Sequence, residues 1–146
     1  MKREPDFLIG PSNDPYIRRF WLIPRNRVFN VYLHNIRRDD DERALHDHPW
    51  VNVSIVLKGH LEEVRPNGKR TLRKFFPYFR RSTDSHRLVV NSKRDTADLP
   101  KNVWTLFLTG PRIREWGFHC PKGWVHWLKF VNPESIGEIG SGCGED

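Results

Sequence analysis

Leu45-His46-Asp47-His48-Pro49-Trp50-Val51-Asn52 is the most specific stretch of this 146-residue sequence. Alternate residues of a strand share one face, so His46, His48, Trp50 and Asn52 are expected to point the same way. Two imidazoles at this spacing can bind a single metal ion, with their other ring nitrogens held by neighbouring groups. A pair of surface histidines at the start of a strand is the alternative. The stretch therefore predicts a candidate metal site on a strand.

The sequence around this stretch predicts short strands. Residues 50–57 are mostly Val, Ile and Leu, which indicates a buried strand. Residues 61–65 and 69–76 flank Pro66-Asn67-Gly68 and predict a hairpin with Asn-Gly as its turn. Further short strands are expected at residues 27–36, 86–90, 103–109, 112–118 and 124–131. About eight or nine short strands with no strong helix indicate an antiparallel barrel or sandwich.

The histidine stretch also matches a known family motif. The spacing of His46, His48, Asn52 and Gly59 is that of the first motif of the cupin superfamily, with Asn52 where the family usually has Glu. The Asn-Gly hairpin follows where cupins have one, and His86 is the part of the second motif that is present. Three short motifs make the chain similar to a branch of small uncharacterised bacterial and phage-type cupins. They are His-Asp-His-Pro-Trp at residues 46–50, Thr-Gly-Pro-Arg at residues 109–112 and Trp-Gly-Phe at residues 116–118. The sequence therefore resembles the cupin superfamily.

This resemblance implies a fold and a ligand set. The expected fold is all-β, a cupin-type antiparallel jelly-roll β-barrel in a single domain, and the likeness covers about residues 27–131. The implied metal ligands are His46, His48 and His86, which line the barrel interior. Asn52 offers a neutral amide oxygen, so we expect it to hold a metal-bound water or to act as a weak ligand.

The implied ligands favour one divalent metal ion. Three neutral imidazoles leave the ion with its full positive charge and with open coordination positions. Such a centre suits Fe(II), which binds substrate and dioxygen together in three-histidine cupin dioxygenases, and Zn, Ni or Mn suit the same ligands. Fe(II) is therefore the expected cofactor.

A second stretch predicts a binding site for a substrate anion. If residues 112–118 form a strand, Arg112, Arg114 and Trp116 share one face. A guanidinium fork holds a carboxylate or phosphate in bidentate geometry, and Trp50 and Trp116 are expected to wall a dry pocket. The alternative is that both arginines face solvent and pair with Asp or Glu.

Composition narrows the classes of protein that fit. The chain has 25 Lys and Arg against 18 Asp and Glu, a formal charge of +7, and no apolar run long enough to span a bilayer, so a membrane protein is excluded. No secretory signal is visible in the sequence. Cys120 and Cys143 are the only cysteines, which makes a disulfide framework improbable and predicts a cytoplasmic protein in a reducing compartment.

Three segments are expected along the chain. Residues 1–16 look like an N-terminal arm, residues 17–132 like the cupin β-barrel domain, and residues 133–146 like a flexible Gly-rich acidic tail. The basic and aromatic stretch at residues 65–81 indicates a solvated hairpin face or, alternatively, a nucleic-acid surface. Apolar residues 20–22 next to the arm would suit a homodimer contact.

Together these patterns predict a metal-dependent small cupin, an Fe(II) dioxygenase-type enzyme acting on a small anionic organic substrate. Two alternatives stay open from the sequence. One is a non-catalytic cupin that binds a small ligand, sugar or nucleotide. The other is a cupin-type isomerase or epimerase with a histidine as its base.

Overall fold

A computed structural model describes residues 3–9, 15–37, 44–90, 103–132, 135–139 and 142–143. The sequence also predicts a charged loop at residues 39–43 and a turn at residues 91–100, and both segments lie outside these ranges. The described elements are β1 (Phe7–Ile9), β2 (Ile17–Trp21), β3 (Asn30–Ile36), β4 (Leu45–His46), β5 (Asn52–Lys58), β6 (Leu61–Arg65), β7 (Gly68–Leu72), β8 (Tyr78–Arg80), β9 (Arg87–Val89), β10 (Val103–Thr109), β11 (Gly117–Cys120), β12 (Gly123–His126), α1 (Trp127–Phe130), β13 (Val131–Asn132) and β14 (Ser135–Ile139).

One antiparallel sheet forms the first layer. Its strand order is β1-β2-β3-β10-β5-β8. Along β10, buried residues alternate with half-buried ones, and the buried Thr105 and Phe107 face the interior. The register places Arg19, His34 and Thr105 side by side across β2, β3 and β10. This row of cross-strand neighbours becomes part of the cavity wall.

Two three-stranded sheets combine into the second layer. Their orders are β12-β11-β4 and β7-β6-β9, and the pairing of His46 with His86 joins them between β4 and β9. A cavity between the two layers is lined from both of them. The all-β, antiparallel jelly-roll fold expected from the sequence is therefore confirmed.

The apolar core lies beside this cavity. A cluster of buried side chains includes Ile36, Val56, Leu61 and Val103, each at most 2% exposed. Leu61 on β6 and Val56 on β5 belong to different layers, so the cluster that contains both ties the layers together. Ile36 and Leu61 also line the cavity, whose apolar end is continuous with this core.

The terminal segments are more structured than the sequence analysis expected. Within residues 1–16, β1 extends the first sheet by pairing with β2. Within residues 133–146, β14 pairs with β13, and Cys143 forms a disulfide with Cys120, 23 residues away in sequence. The sequence analysis considered a disulfide framework improbable, yet this one disulfide forms, because the hairpin of β13 and β14 returns the chain to β11. The prediction of a cytoplasmic location rested on the two cysteines being reduced, so this disulfide removes its basis.

The described helical structure is limited to one short helix. α1 has four residues, and no helix within the described ranges is long and apolar enough to cross a membrane. The homodimer contact and the nucleic-acid surface stay predictions.

The hairpin of β11 and β12 allows a test of close packing. A methyl group on Gly117 would overlap the carbonyl oxygen of Val125 and approach the Trp124 ring to 2.8 Å, whereas a methyl group on Gly123 meets nothing within 4 Å. Gly117→Ala should therefore lower the free energy of unfolding by at least about 3 kcal/mol. Gly123→Ala should cost about 1 to 2 kcal/mol, because only its positive φ is strained. Equal losses in urea unfolding would contradict this packing.

Candidate metal centre

Three histidines meet at one wall of the cavity. His46 ends β4, His48 follows two residues later, and His86 immediately precedes β9. The three ring centroids are 4.8 to 5.1 Å apart. One ring nitrogen from each residue lies within 4.8 Å of the others, so the cluster can hold a metal ion. The structure thus brings together the three ligands implied by the sequence.

Backbone hydrogen bonds fix the positions of all three residues. The N–H of His46 donates to the carbonyl of His86, and the N–H of His86 donates to the carbonyl of His46, each at 2.9 Å. Directly opposed residues of an antiparallel pair point their side chains to the same face. The N–H of His48 donates to the carbonyl of Ser82 at 3.1 Å, which holds the third ring beside the other two.

A buried carboxylate orients His86. Nδ1 of His86 lies 2.6 Å from Oε1 of Glu63, which is completely buried on β6. An ionised carboxylate only accepts hydrogen bonds, so Nδ1 carries the proton and Nε2 is left with the lone pair. A carboxylate behind a histidine fixes both its tautomer and its ring orientation for a metal ion.

Two arginines keep this carboxylate ionised. Arg80 and Arg70 donate through their Nε atoms to the two oxygens of Glu63. Burial alone would raise the pKa of Glu63, but the hydrogen bond from His86 and the charge of Arg80 hold it well below its usual range. Arg80 is itself 2% exposed, and its Nη1 also donates to the Ser54 hydroxyl at 2.7 Å. The charges therefore form one buried network behind the histidines.

The three imidazoles are neutral at pH 7. Burial is the main cause that lowers the pKa of His46 and His48 well below 6.5, and the charge of Arg80 adds to it. Burial and Arg80 lower the pKa of His86 to about 4, against the opposing effect of Glu63. A neutral imidazole is the form that binds a metal, so no proton has to leave before binding.

The donor set fits a divalent transition-metal ion. Nδ1 of His48 is buried and has no hydrogen-bond partner among the described residues. One ring nitrogen from each of the three imidazoles lies within 4.8 Å of the others, and imidazole suits Fe, Zn, Ni and Cu better than it suits Mg or Ca. The geometry supports a metal centre and leaves the identity of the metal open.

The cavity in front of the histidines is small and largely apolar. Its volume is about 260 Å³, below the range of about 300 to 1,000 Å³ that is typical of drug-sized ligands. Trp50 and Trp116 both line it, as the sequence analysis expected of them. Trp50 stacks on His48 with centroids 5.4 Å apart, and Trp116 meets His46 edge-on at 6.4 Å.

Arg19 is a cavity residue that the sequence analysis missed. Arg19 and His34 lie opposite each other on β2 and β3, and both line the cavity. Burial lowers the pKa of Arg19 to about 10, so its guanidinium stays charged at neutral pH. No local pattern pointed to Arg19, because the buried residues of β2, Ile17 and Phe20, are three positions apart and do not alternate as in a regular strand.

Asn52 is placed away from the metal cluster. It is buried at the start of β5, its Oδ1 accepts a hydrogen bond from Nη1 of Arg80 at 3.1 Å, and it does not line the cavity. The expected role at the metal does not fit this placement. The chain leaves the extended conformation between β4 and β5, so alternate residues from His46 to Asn52 no longer share one face.

The two arginines of the predicted anion-binding site also lie outside the cavity. Arg112 is exposed and pairs with Glu115 at 3.0 Å, and Arg114 donates to the carbonyls of His48 and Ser82 at 3.1 Å. Neither arginine lines the cavity. The described residues 110–116 form no strand, which removes the basis for placing both side chains on an inner face.

Asp47 points to the opposite side of the histidine stretch. It is 1% exposed and accepts hydrogen bonds from the Gly117 N–H at 2.8 Å and from the Trp124 indole at 3.0 Å. Arg114 and His119 also contact its carboxylate. Asp47 therefore anchors the hairpin of β11 and β12 while its two neighbours face the cavity.

The basic stretch at residues 65–81 divides between two environments. Arg70 and Arg80 turn inward to Glu63, whereas Phe75 and Phe79 are 72% and 64% exposed. Part of the positive charge in this stretch is therefore used inside the protein.

Comparisons with known proteins agree on the fold. No protein-family model and no curated protein sequence matches the chain. Among solved structures, an uncharacterised conserved protein with a double-stranded β-helix domain from Klebsiella pneumoniae is 17% identical, with 76% of this chain and 90% of that chain covered and a TM-score of 0.53. The double-stranded β-helix is the fold of the cupins. This chain has a cupin fold.

Two further structures share this cupin fold with the chain. The DMSP lyase DddQ from Ruegeria pomeroyi is 14% identical, covers 84% of this chain and 61% of its own, and has a TM-score of 0.56. The polyketide cyclase RemF from Streptomyces resistomycificus is 18% identical, with 77% and 71% covered and a TM-score of 0.52. At these identities the likeness shows the fold alone.

Removal of one ligand should sharply weaken metal binding. Protein purified without a metal-binding tag, and reconstituted where necessary, should hold about one divalent ion per chain by elemental analysis. His46→Ala should lose most of that metal while its circular dichroism stays that of a β-protein, because one of three ligands is gone. His60→Ala is the matched control, since the His60 side chain is 54% exposed and contacts Glu62. Full metal content in His46→Ala would contradict the site.

The two neighbouring glutamates of β6 should differ sharply in their effect on stability. Glu63→Ala leaves Arg80 buried without its carboxylate, so we expect a loss of about 3 to 5 kcal/mol in the free energy of unfolding. Glu62 faces the other side and pairs with Lys69 at 3.6 Å near the surface, so Glu62→Ala should cost less than about 1 kcal/mol. Similar losses for both variants in chemical denaturation would rule out the buried network.

Proposed function

We propose that this chain is a metal-dependent cupin enzyme, an Fe(II) dioxygenase-type protein that acts on a small anionic organic substrate. The observation that carries this proposal is the cluster of three neutral imidazoles at the wall of a small, largely apolar cavity. His46, His48 and His86 would hold the ion, and the cavity is the space from which a small molecule would reach it.

The ligand set favours a redox-active ion with open positions. Three imidazoles fill only part of a six-coordinate shell and add no negative charge. A bound Fe(II) would supply the means to bring an organic substrate and dioxygen together, with both oxygen atoms entering the substrate. Zn, Ni and Mn suit the same residues, so the metal is part of the proposal.

The residues around the cluster prepare the cavity for a small molecule. Glu63 holds the His86 ring through Nδ1, and the hydrogen bond fixes which nitrogen faces the ion. Trp50 and Trp116 cover the His48 and His46 rings, so they restrict ring rotation and exclude water from the metal side of the cavity. Low solvent access strengthens the electrostatic contacts made there.

A second candidate is metal-dependent chemistry without dioxygen, such as isomerisation. The observation in its favour is that two solved structures of this fold are named as a lyase and a cyclase. Such an enzyme would use the ion as a Lewis acid, for which Zn is as suitable as Fe(II).

Oxygen consumption separates the two candidates. Protein loaded anaerobically with Fe(II) and protein loaded with Zn are each mixed with a panel of small organic acids in air-saturated buffer. The dioxygenase proposal predicts oxygen uptake matched by loss of one acid in the Fe(II) protein alone, and no uptake by His48→Ala. Conversion of an acid by both proteins without oxygen uptake would favour the non-oxidative candidate. No conversion of any acid, despite full metal content, would contradict a catalytic role toward this class of substrate.

A further inference from the structure

Arg19 is a charged residue on the wall of a largely apolar cavity. It lies on β2, half-buried, and shares the cavity with the three histidines. The cavity wall near Arg19 includes Phe7 and Ile9 of β1, so the cation is surrounded mainly by hydrocarbon.

The guanidinium is held in place by two neutral groups. Its Nε donates to Nε2 of His34 at 2.9 Å, and its Cζ lies 4.4 Å from the centre of the Tyr32 ring. Because Nε2 of His34 accepts this bond, the proton of His34 is on Nδ1 and the ring is neutral. Burial lowers the pKa of His34 well below 6.5, and the charge of Arg19 adds to this effect.

No carboxylate in the described part of the chain neutralises Arg19. Among these residues, Nε makes its hydrogen bond to His34, and neither Nη atom has a protein partner. Arg70 and Arg80, by contrast, both reach Glu63. A guanidinium kept charged in a low-dielectric wall without a counter-ion is unfavourable unless an anion binds beside it.

We propose that Arg19 is the specificity-determining residue of the cavity and binds the carboxylate of a small ligand with a flat, apolar body. The proposal deepens the function proposed above and rests on it for the metal. Two Nη donors match the two oxygens of a carboxylate. Arg112 and Arg114 lie outside the cavity, so Arg19 takes the role that the sequence analysis assigned to them.

The cavity walls indicate the shape and size of the rest of the ligand. Phe107 lies between the two ends of the cavity, because its ring centre is 5.0 Å from that of His34, the partner of Arg19, and 6.4 Å from that of His48. The aromatic rings of Phe118, Trp50 and Trp116 also line the cavity. Such walls favour a flat apolar body through offset or edge-on ring contacts. The volume of about 260 Å³ suits a single-ring acid. A free phosphate has no apolar body to fill this space.

Binding of benzoate tests the proposal, with benzamide as the neutral counterpart of the same shape and inorganic phosphate as the small polar anion. Titration calorimetry on Zn-loaded protein should show that benzoate binds and that benzamide binds at least about tenfold more weakly. Arg19→Met should weaken benzoate at least about thirtyfold and benzamide much less, because the neutral amide loses at most one hydrogen bond from the guanidinium to its oxygen. Arg19→Lys keeps the charge without the fork and should bind benzoate with intermediate affinity.

Arg112→Met is the matched control, since Arg112 is exposed and pairs with Glu115. It should bind benzoate as the unaltered protein does. Equal benzoate affinity in Arg19→Met and the unaltered protein would overturn the proposal, as would phosphate binding without benzoate binding, or no benzoate binding at all. Thermal unfolding of each variant shows that any loss is not a loss of fold.

Metal content is measured on the same samples. A full metal content without benzoate binding would contradict the proposed carboxylate ligand but would still support the metal site. Benzoate binding that depends on Arg19 in protein that never takes up metal would support the role of Arg19 and count against the proposed enzyme.

Discussion

The backbone pair between His46 and His86 is the contact on which the rest of the structure depends. Its two hydrogen bonds, 2.9 Å each, join the halves of the second sheet and place two imidazoles side by side on the inner face. One contact therefore closes the layer and builds most of the candidate metal centre. His48 joins them because its own N–H is tied to Ser82. A strand shift by one residue would turn a ligand away from the cavity, so fold and site are specified together.

Charges on the two sides of the histidine stretch have separate structural roles. On the inner side, the Glu63 carboxylate accepts hydrogen bonds from Arg70, Arg80 and His86 and forms a buried network with them. On the other side, Asp47 accepts hydrogen bonds from Gly117 and Trp124 of the β11–β12 hairpin, and Phe118 of this hairpin lines the cavity. Burial of so much charge is tolerated because every carboxylate oxygen is paired, and removal of either carboxylate would leave arginine charge uncompensated. The network stiffens the ligands before any metal arrives, which is how supporting groups sharpen a binding site.

The sequence predicted the features that follow from local pattern. Alternation and turn residues indicated an antiparallel all-β fold, and the spacing of His46 and His48 together with His86 identified the cluster. Features that depend on tertiary geometry were missed. Asn52 was placed at the metal by extending the alternation of one strand through a break in it. Arg19 carries no local signature, because its importance comes from its neighbours across the sheet and from the lack of a nearby carboxylate among the described residues. The pairing of β14 and the disulfide likewise depend on where the chain returns.

X-ray absorption at the edge of the bound metal counts the imidazoles around it most directly. For Zn-loaded protein, the three-histidine centre predicts three imidazole nitrogens at about 2.0 to 2.1 Å, with oxygen from water or a small ligand completing the shell. In the Zn that His86→Ala still binds when Zn is in excess, one of these nitrogens should be missing. A shell of oxygen atoms alone, or a shell unchanged in His86→Ala, would contradict a metal centre built by these three residues.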